Sequence, residues 1–151
     1  MARNYIIGCC LALCLINTYA TFSIYMPRCA LDLSKDHSEI NYTLANFGHT
    51  PYGLSVVGEL VVPLDKTFCD LDTKEDFKTI NDDVKKFMLI KRGGCKFTQK
   101  VRNAQKHGAD FVIIYDSIKT TKPNVIMAND GFGHLVDIPS IFITLSDGEK
   151  L

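Results

Sequence analysis

Cys95 stands between two basic residues in the run Lys91-Arg92-Gly93-Gly94-Cys95-Lys96-Phe97. Cations close to a thiol, at the start of a helical pattern, lower its pKa, so nucleophilic chemistry is the first reading to weigh. The partners that such chemistry needs are missing. No histidine stands in a cysteine-hydrolase motif, and His37, His49, His107 and His134 show neither His-Glu-x-x-His nor paired Cys-x-x-Cys spacing. No Gly-x-Ser-x-Gly elbow and no Gly-x-x-x-x-Gly-Lys phosphate loop occurs. The residues therefore point to no enzyme, no metal and no cofactor. What the turn can do is recognise. Gly93 and Gly94 let another backbone come close, Arg92 and Lys96 supply donors for carbonyls or a carboxylate, and a helix start adds exposed N–H groups. On spacing alone, a tight turn with solvated basic residues is the better-supported reading.

The elements that must hold this turn can be read on either side of it. Phe87 to Ile90 is a short apolar run of buried-strand type. From Phe97 the spacing is helical, with Phe97, Val101 and Ala104 on one face and Lys100, Asn103, Lys106 and His107 elsewhere around the cylinder. Gly108 ends the helix as a left-handed cap, and Phe111 to Tyr115 is a second buried strand, which makes a strand–helix–strand crossover on one sheet. Val56 to Val62 is a further strand, with Gly58 as a bulge or close-approach point and Pro63 as its stop. Asp65 to Lys86 reads as a charged loop with one short helix around Lys74 to Thr79. Val125 to Ala128 reads as a short strand, Asn129 to His134 as a turn-rich loop and Ile138 to Thr144 as the last strand. Ser146 with Glu149 forms a capping-box pattern, so a helix opens where the chain stops and the domain reads as cut short at that end.

Length allows one domain, and the first twenty residues stand apart from it. Arg3, the apolar run Ile6 to Ile16 and Thr18-Tyr19-Ala20 have the layout of a cleaved signal peptide; the run is short of the roughly 20 residues that span a bilayer. Residues 21–151 would then carry 16 basic and 17 acidic side chains, a net charge of −1, which argues against nucleic acid as a partner. Cys9, Cys10 and Cys14 leave with the signal, so Cys29, Cys69 and Cys95 remain in an oxidising lumen. An edge strand is expected at Phe22 to Ile24. Asn41-Tyr42-Thr43 is an N-glycosylation sequon, which predicts a surface position for Asn41.

Lys91 to Phe97, with Lys100-Val101-Arg102-Asn103-Ala104-Gln105-Lys106 and Gly108-Ala109, resembles the core of the protease-associated (PA) domain. Ala45-Asn46-Phe47-Gly48-His49-Thr50-Pro51-Tyr52-Gly53, leading to Gly58 to Pro63, is similar to the opening of that domain in vacuolar sorting receptors, and Ile138 to Ile143 to its closing strand. The resemblance covers roughly Leu31 to the end, as a single domain should. It implies an α/β (α+β) fold with a twisted, barrel-like or sandwich β core flanked by helices.

The resemblance also implies a disulfide between Cys69 and Cys95, since the sorting receptors carry a cysteine before their long loop and another in the Arg-Gly-x-Cys turn; such a closure contributes roughly 3 to 4 kcal/mol in the chain-entropy account. Cys29 stays unassigned. Two segments would hold a sorting peptide of soluble vacuolar or lysosomal cargo: Arg92, Gly93, Gly94, Cys95, Lys96 and Phe97 in the turn, and Ile126, Met127, Ala128 and Asn129 in a second loop. Arg92 would sit at the rim, exposed, with little part in the core. Gly94 stands where the receptors commonly have Asp, and Lys96 where they have an aromatic residue. The implied role is a non-catalytic cargo-binding domain in the endomembrane lumen, its parent anchored in a membrane. The alternatives are the PA domain of a transmembrane RING-type ubiquitin ligase and a PA insert of a peptidase.

Overall fold

Five consecutive side chains of Phe111–Tyr115 are all buried, which a strand achieves only when both faces of its sheet are covered. The computed structural model describes residues 40–50, 52–53, 56–72, 77 and 83–151. The signal peptide, the edge strand at Phe22 to Ile24, Cys29 and, apart from Phe77, the helix around Lys74 to Thr79 lie outside the described residues. The described elements are β1 (Thr43–Leu44), β2 (Gly58–Val61), β3 (Lys85–Lys91), α1 (Phe97–Lys106), β4 (Phe111–Tyr115), β5 (Ser140–Ile143) and α2 (Leu145–Gly148). They make a mixed α/β fold around one five-stranded sheet in the order β1-β5-β4-β3-β2. Only β1 runs antiparallel to its neighbour; β2, β3, β4 and β5 are parallel.

Alternation along the strands divides the core in two. Met88, Ile90, Val112, Ile114 and Phe142 face α1 and pack with its Val101 and Ala104. Phe87, Leu89, Phe111, Ile113, Tyr115, Ile141 and Ile143 face the opposite way, against Leu60, Leu145 and Leu151. The Phe87 and Phe111 rings are cross-strand partners with centroids 5.0 Å apart. The expected β3–α1–β4 unit is present, and Gly108 closes α1 with φ +82°.

Three expectations are corrected. Val125 to Ala128 is not a strand: Met127 is fully buried, its carbonyl accepts from the Asn46 amide (3.1 Å), and that of Val125 accepts from the Thr43 hydroxyl, so these backbone groups are satisfied outside any ladder. The last helix begins before Ser146. Thr144 is its cap, accepting from the Asp147 amide (3.1 Å) and donating to the Asp147 carboxylate (2.7 Å), because β5 ends at Ile143 and the same Ser/Thr-x-x-acid pattern is met two residues earlier. Lys100 and Asn103, assigned away from the apolar face, are wholly buried.

Gly58 is a close-approach point and not a bulge, since the β2–β3 register runs unbroken from Gly58 opposite Lys85 to Val61 opposite Met88. A Cβ there would stand 2.5 Å from the Lys85 carbonyl oxygen and 2.5 Å from a Phe87 ring carbon. Gly58→Ala is expected to lower stability by about 1–3 kcal/mol through forced displacement of β2 from β3; equilibrium urea unfolding measures it, and an unchanged midpoint would show that β2 moves at no cost.

Candidate functional site

The polar residues of α1 explain where the cysteine before the long loop is held. After β2 the chain turns through Asp65–Cys69 and drives Phe68 into the core, with its backbone at φ +50° and its ring 5.1 Å from that of His107. A loop carried inward brings carbonyl groups that must find donors. Lys100 Nζ donates to the Thr67 carbonyl, Asn103 Nδ2 to those of Phe68 (3.4 Å) and Cys69 (3.0 Å), and Gln99 Nε2 also to that of Cys69 (3.2 Å). The Lys91 amide takes the Lys66 carbonyl. Burial pushes the Lys100 ammonium down to about 8 from its ordinary 10.5, against the attraction of Asp65. Hydrogen bonds from the Thr67 hydroxyl and amide hold Asp65 itself below the usual carboxylate range.

This loop is tied to the glycine turn by a disulfide between Cys69 and Cys95, with Cα atoms 5.8 Å apart, the pairing that the family resemblance implied. Gly93 (φ +118°) and Gly94 (φ +79°) let the turn fold back on it. A Cβ on Gly94 would stand 2.9 Å from Cys69 Sγ, so this position faces the disulfide.

Beyond the turn lies an open cleft of about 400 Å³, lined by Arg92, Gly93, Cys95, Lys96, Phe97, Ile126, Ala128 and Asp130. Residues of both predicted segments thus meet across one concavity. Three of the predicted residues do not line it. Gly94 turns to the disulfide, Met127 points into the core, and the Asn129 side chain accepts from the Gly131 and Gly133 amides, holding its own loop. The second loop is further pinned where the Asn46 side chain accepts from the Asn129 amide (2.5 Å).

Arg92 is not a free rim donor. Its guanidinium lies 3.1 Å from the buried Asp116 carboxylate, its amide donates to the Tyr115 carbonyl, and its Cζ is 5.9 Å from the centroid of the Phe142 ring. Asp116 also accepts from the Ser117 (2.7 Å) and Ile118 (3.3 Å) amides, so Arg92 closes a buried acceptor network. The exposed cation of the cleft is Lys96, which faces Asp130 at 3.5 Å. Asp130 went unread in the sequence, where Asn129-Asp130-Gly131 looks like turn chemistry alone; the signal available was one acid in a loop opposite two bases. Its carboxylate is held below the usual range, chiefly by the Thr98 hydroxyl (2.6 Å), with the Phe132 amide and Lys96 adding to this. Among the described residues, no group of three or more His, Cys, Asp or Glu could hold a metal ion, and no helix is long and apolar enough to cross a membrane. Asn41 is exposed.

The PA domain family profile matches residues 56–151. The chain is 34% identical over 113 residues to vacuolar-sorting receptor 1 of Pisum sativum, a match covering 72% of this chain and 18% of that protein. It is 31% identical over 141 residues to receptor homology region, transmembrane domain- and RING domain-containing protein 2 of Arabidopsis thaliana, covering 93% of this chain and 30% of that one. The matched part is thus less than a third of either relative. Among solved structures, a zinc aminopeptidase from Bacillus subtilis superposes with a TM-score of 0.60 at 25% identity, over 76% of this chain and 26% of the enzyme.

Two stability effects follow from these contacts. Arg92→Ala leaves the Asp116 carboxylate buried without its counter-ion and is expected to cost about 1–3 kcal/mol, measurable by thermal or urea unfolding; a neutral result would show that the amide donors of Ser117 and Ile118 suffice. For Lys100 the sign runs the other way from an ordinary ion pair. The unfolded chain keeps this lysine protonated up to its ordinary 10.5 while the folded chain releases the proton near 8, so stability rises as pH increases between those values. Lys100→Met should remove that rise. Unfolding midpoints of both proteins across the window check it, and parallel curves would refute it.

Proposed function

The chain belongs to the PA domain family, and from that premise we propose that it is a non-catalytic, luminal module that binds short peptide signals on soluble cargo bound for a vacuole or lysosome. The observation that carries this reading is the meeting of the Arg92–Phe97 turn and the Ile126–Ala128 loop across one open cleft. Its walls combine exposed apolar surface at Ile126, an exposed ammonium at Lys96 and a half-shielded carboxylate at Asp130, a mixture suited to an extended peptide with polar groups along its backbone. Arg92 and the disulfide act here as the frame: the first anchors the turn to Asp116 and the second to the Asp65–Cys69 loop. An oxidising lumen agrees with the disulfide, and the exposed sequon at Asn41 is available for glycosylation there.

A second reading rests on a specific observation. Two RING-containing relatives, one of Arabidopsis thaliana and one of Oryza sativa, match 93% and 94% of this chain, though a third matches only 42%, against 72% for the sorting receptors, so a luminal receptor-homology region of a membrane-anchored RING protein is the rival. A substrate-positioning insert of a peptidase is the third, suggested by the aminopeptidase superposition.

Titration of the secreted chain with peptides carrying vacuolar sorting signals separates these readings. Binding by the wild type is expected to weaken roughly tenfold in Lys96→Ala, the scale of one charge-assisted hydrogen bond, and to weaken with added salt because that contact is exposed. Ile126→Ala should also lose affinity while leaving stability unchanged. Wild-type protein that ignores such peptides would discard the cargo reading in favour of its rivals.

A further inference from the structure

Lys100 raises a question that the cleft does not answer: why a charged group sits where a neutral one would serve. The carbonyls of Phe68 and Cys69, next to that of Thr67, are satisfied by the amides of Asn103 and Gln99, so the loop can be held without a buried charge. An ammonium carries three donors. Among the described residues, Lys100 Nζ has the Thr67 carbonyl and, 3.4 Å away, Cys69 Sγ. A disulfide sulfur is a poor acceptor, whereas a thiolate is a charged one, so this ammonium is better compensated when the disulfide is open.

The two sulfurs are also placed unequally. Cys95 lines the open cleft, while Cys69 has the lysine on one side and the Gly94 backbone on another, where a Cβ would stand only 2.9 Å away. We propose that the Cys69–Cys95 bond is a thiol-exchange site, in which a reductant thiolate attacks Cys95 from the cleft and Cys69 leaves as a thiolate held by Lys100. In the first step a bond forms between the reductant sulfur and Cys95 Sγ, the Cys95–Cys69 bond breaks, and the electron pair stays on Cys69. The second thiol of a dithiol reductant then attacks its own bridging sulfur and releases Cys95. The dithiol is oxidised to a disulfide, the two cysteines are reduced, and the two thiol protons pass to them directly or through solvent. A leaving thiol of low pKa departs faster, and a stabilised reduced form raises the potential. Opening the bond frees the glycine turn from the Asp65–Cys69 loop, so the same event loosens one wall of the cleft.

The effect belongs to neutral pH. Lys100 titrates near 8 in the oxidised chain, and the charged group that acts on it is Asp65, whose carboxylate favours the ammonium. The test is equilibration of the full oxidised chain with dithiothreitol at graded ratios of dithiol to disulfide, quenched by alkylation and read by peptide mapping at Cys69 and Cys95. At about pH 7, Lys100→Met is expected to need a roughly tenfold more reducing ratio than wild type, and to be reduced more slowly, with the difference shrinking by about pH 9.5 as the amine loses its charge. Lys100→Gln, which keeps a donor for the Thr67 carbonyl without the charge, should behave as Lys100→Met does and decides the matter if that variant does not fold. Equal ratios in wild type and Lys100→Gln would overturn the proposal, as would easier reduction of the variants, which would mean that lysine only shields the bond. A brief pulse of glutathione should leave its adduct on Cys95; an adduct on Cys69 would overturn the assignment of the attacked sulfur.

Discussion

Backbone carbonyls that leave water must be met by donors inside the protein, and the Asp65–Cys69 loop is the place where this requirement shapes the domain. Phe68 enters the core only because Lys100, Asn103 and Gln99 meet the carbonyls that come with it. With the loop fixed, Cys69 is in position to bond Cys95, and the glycine turn is fixed in its turn. The chain of dependence thus runs from a polar stripe on α1, through one buried aromatic ring, to the edge of the cleft.

The turn has a second anchor on its opposite flank. Arg92 joins the end of β3 to Asp116 just past the end of β4, where the two parallel strands deliver their C-terminal ends side by side. Loops at the carboxyl ends of parallel strands are where an α/β sheet gathers variable residues on a rigid frame. The opposing loop, Ile126 to Asp130, has no ladder of its own; it depends on Asn46, on its own Asn129 and on the burial of Met127. The contacts that hold the two walls thus run through Arg92, the disulfide, Asn46, Asn129 and Met127, which leaves Lys96, Ile126 and Ala128 free to vary without loss of the fold.

Departures from the sorting-receptor pattern fall within this frame. Gly94 takes a left-handed backbone against the disulfide, so a side chain there would crowd Cys69 before it reached any ligand. Lys96 is solvent-exposed and paired loosely with Asp130. Neither difference touches the sheet or its two cores, which is why family membership and ligand preference can diverge in this chain.

The sequence by itself determined the elements whose signal is local. Phe87 to Ile90, Phe111 to Tyr115, the helix from Phe97 and its Gly108 stop are each written in a short apolar run, a 3.6-residue period or a backbone that only glycine adopts readily, and all were legible. The family resemblance supplied the pairing of Cys69 with Cys95 and the two segments that meet at the cleft. Tertiary structure alone decided the rest, because partners distant in sequence set it. Lys100 and Asn103 look like solvent-facing residues until the loop more than thirty positions earlier brings carbonyls to them. Arg92 looks free until Asp116 is placed beside it by strand pairing. Val125 to Ala128 has the composition of a strand, yet its hydrogen bonds go to Asn46 and Thr43. Asp130 became part of the cleft only when the second loop folded over the first turn of α1, where Thr98 holds its carboxylate in place.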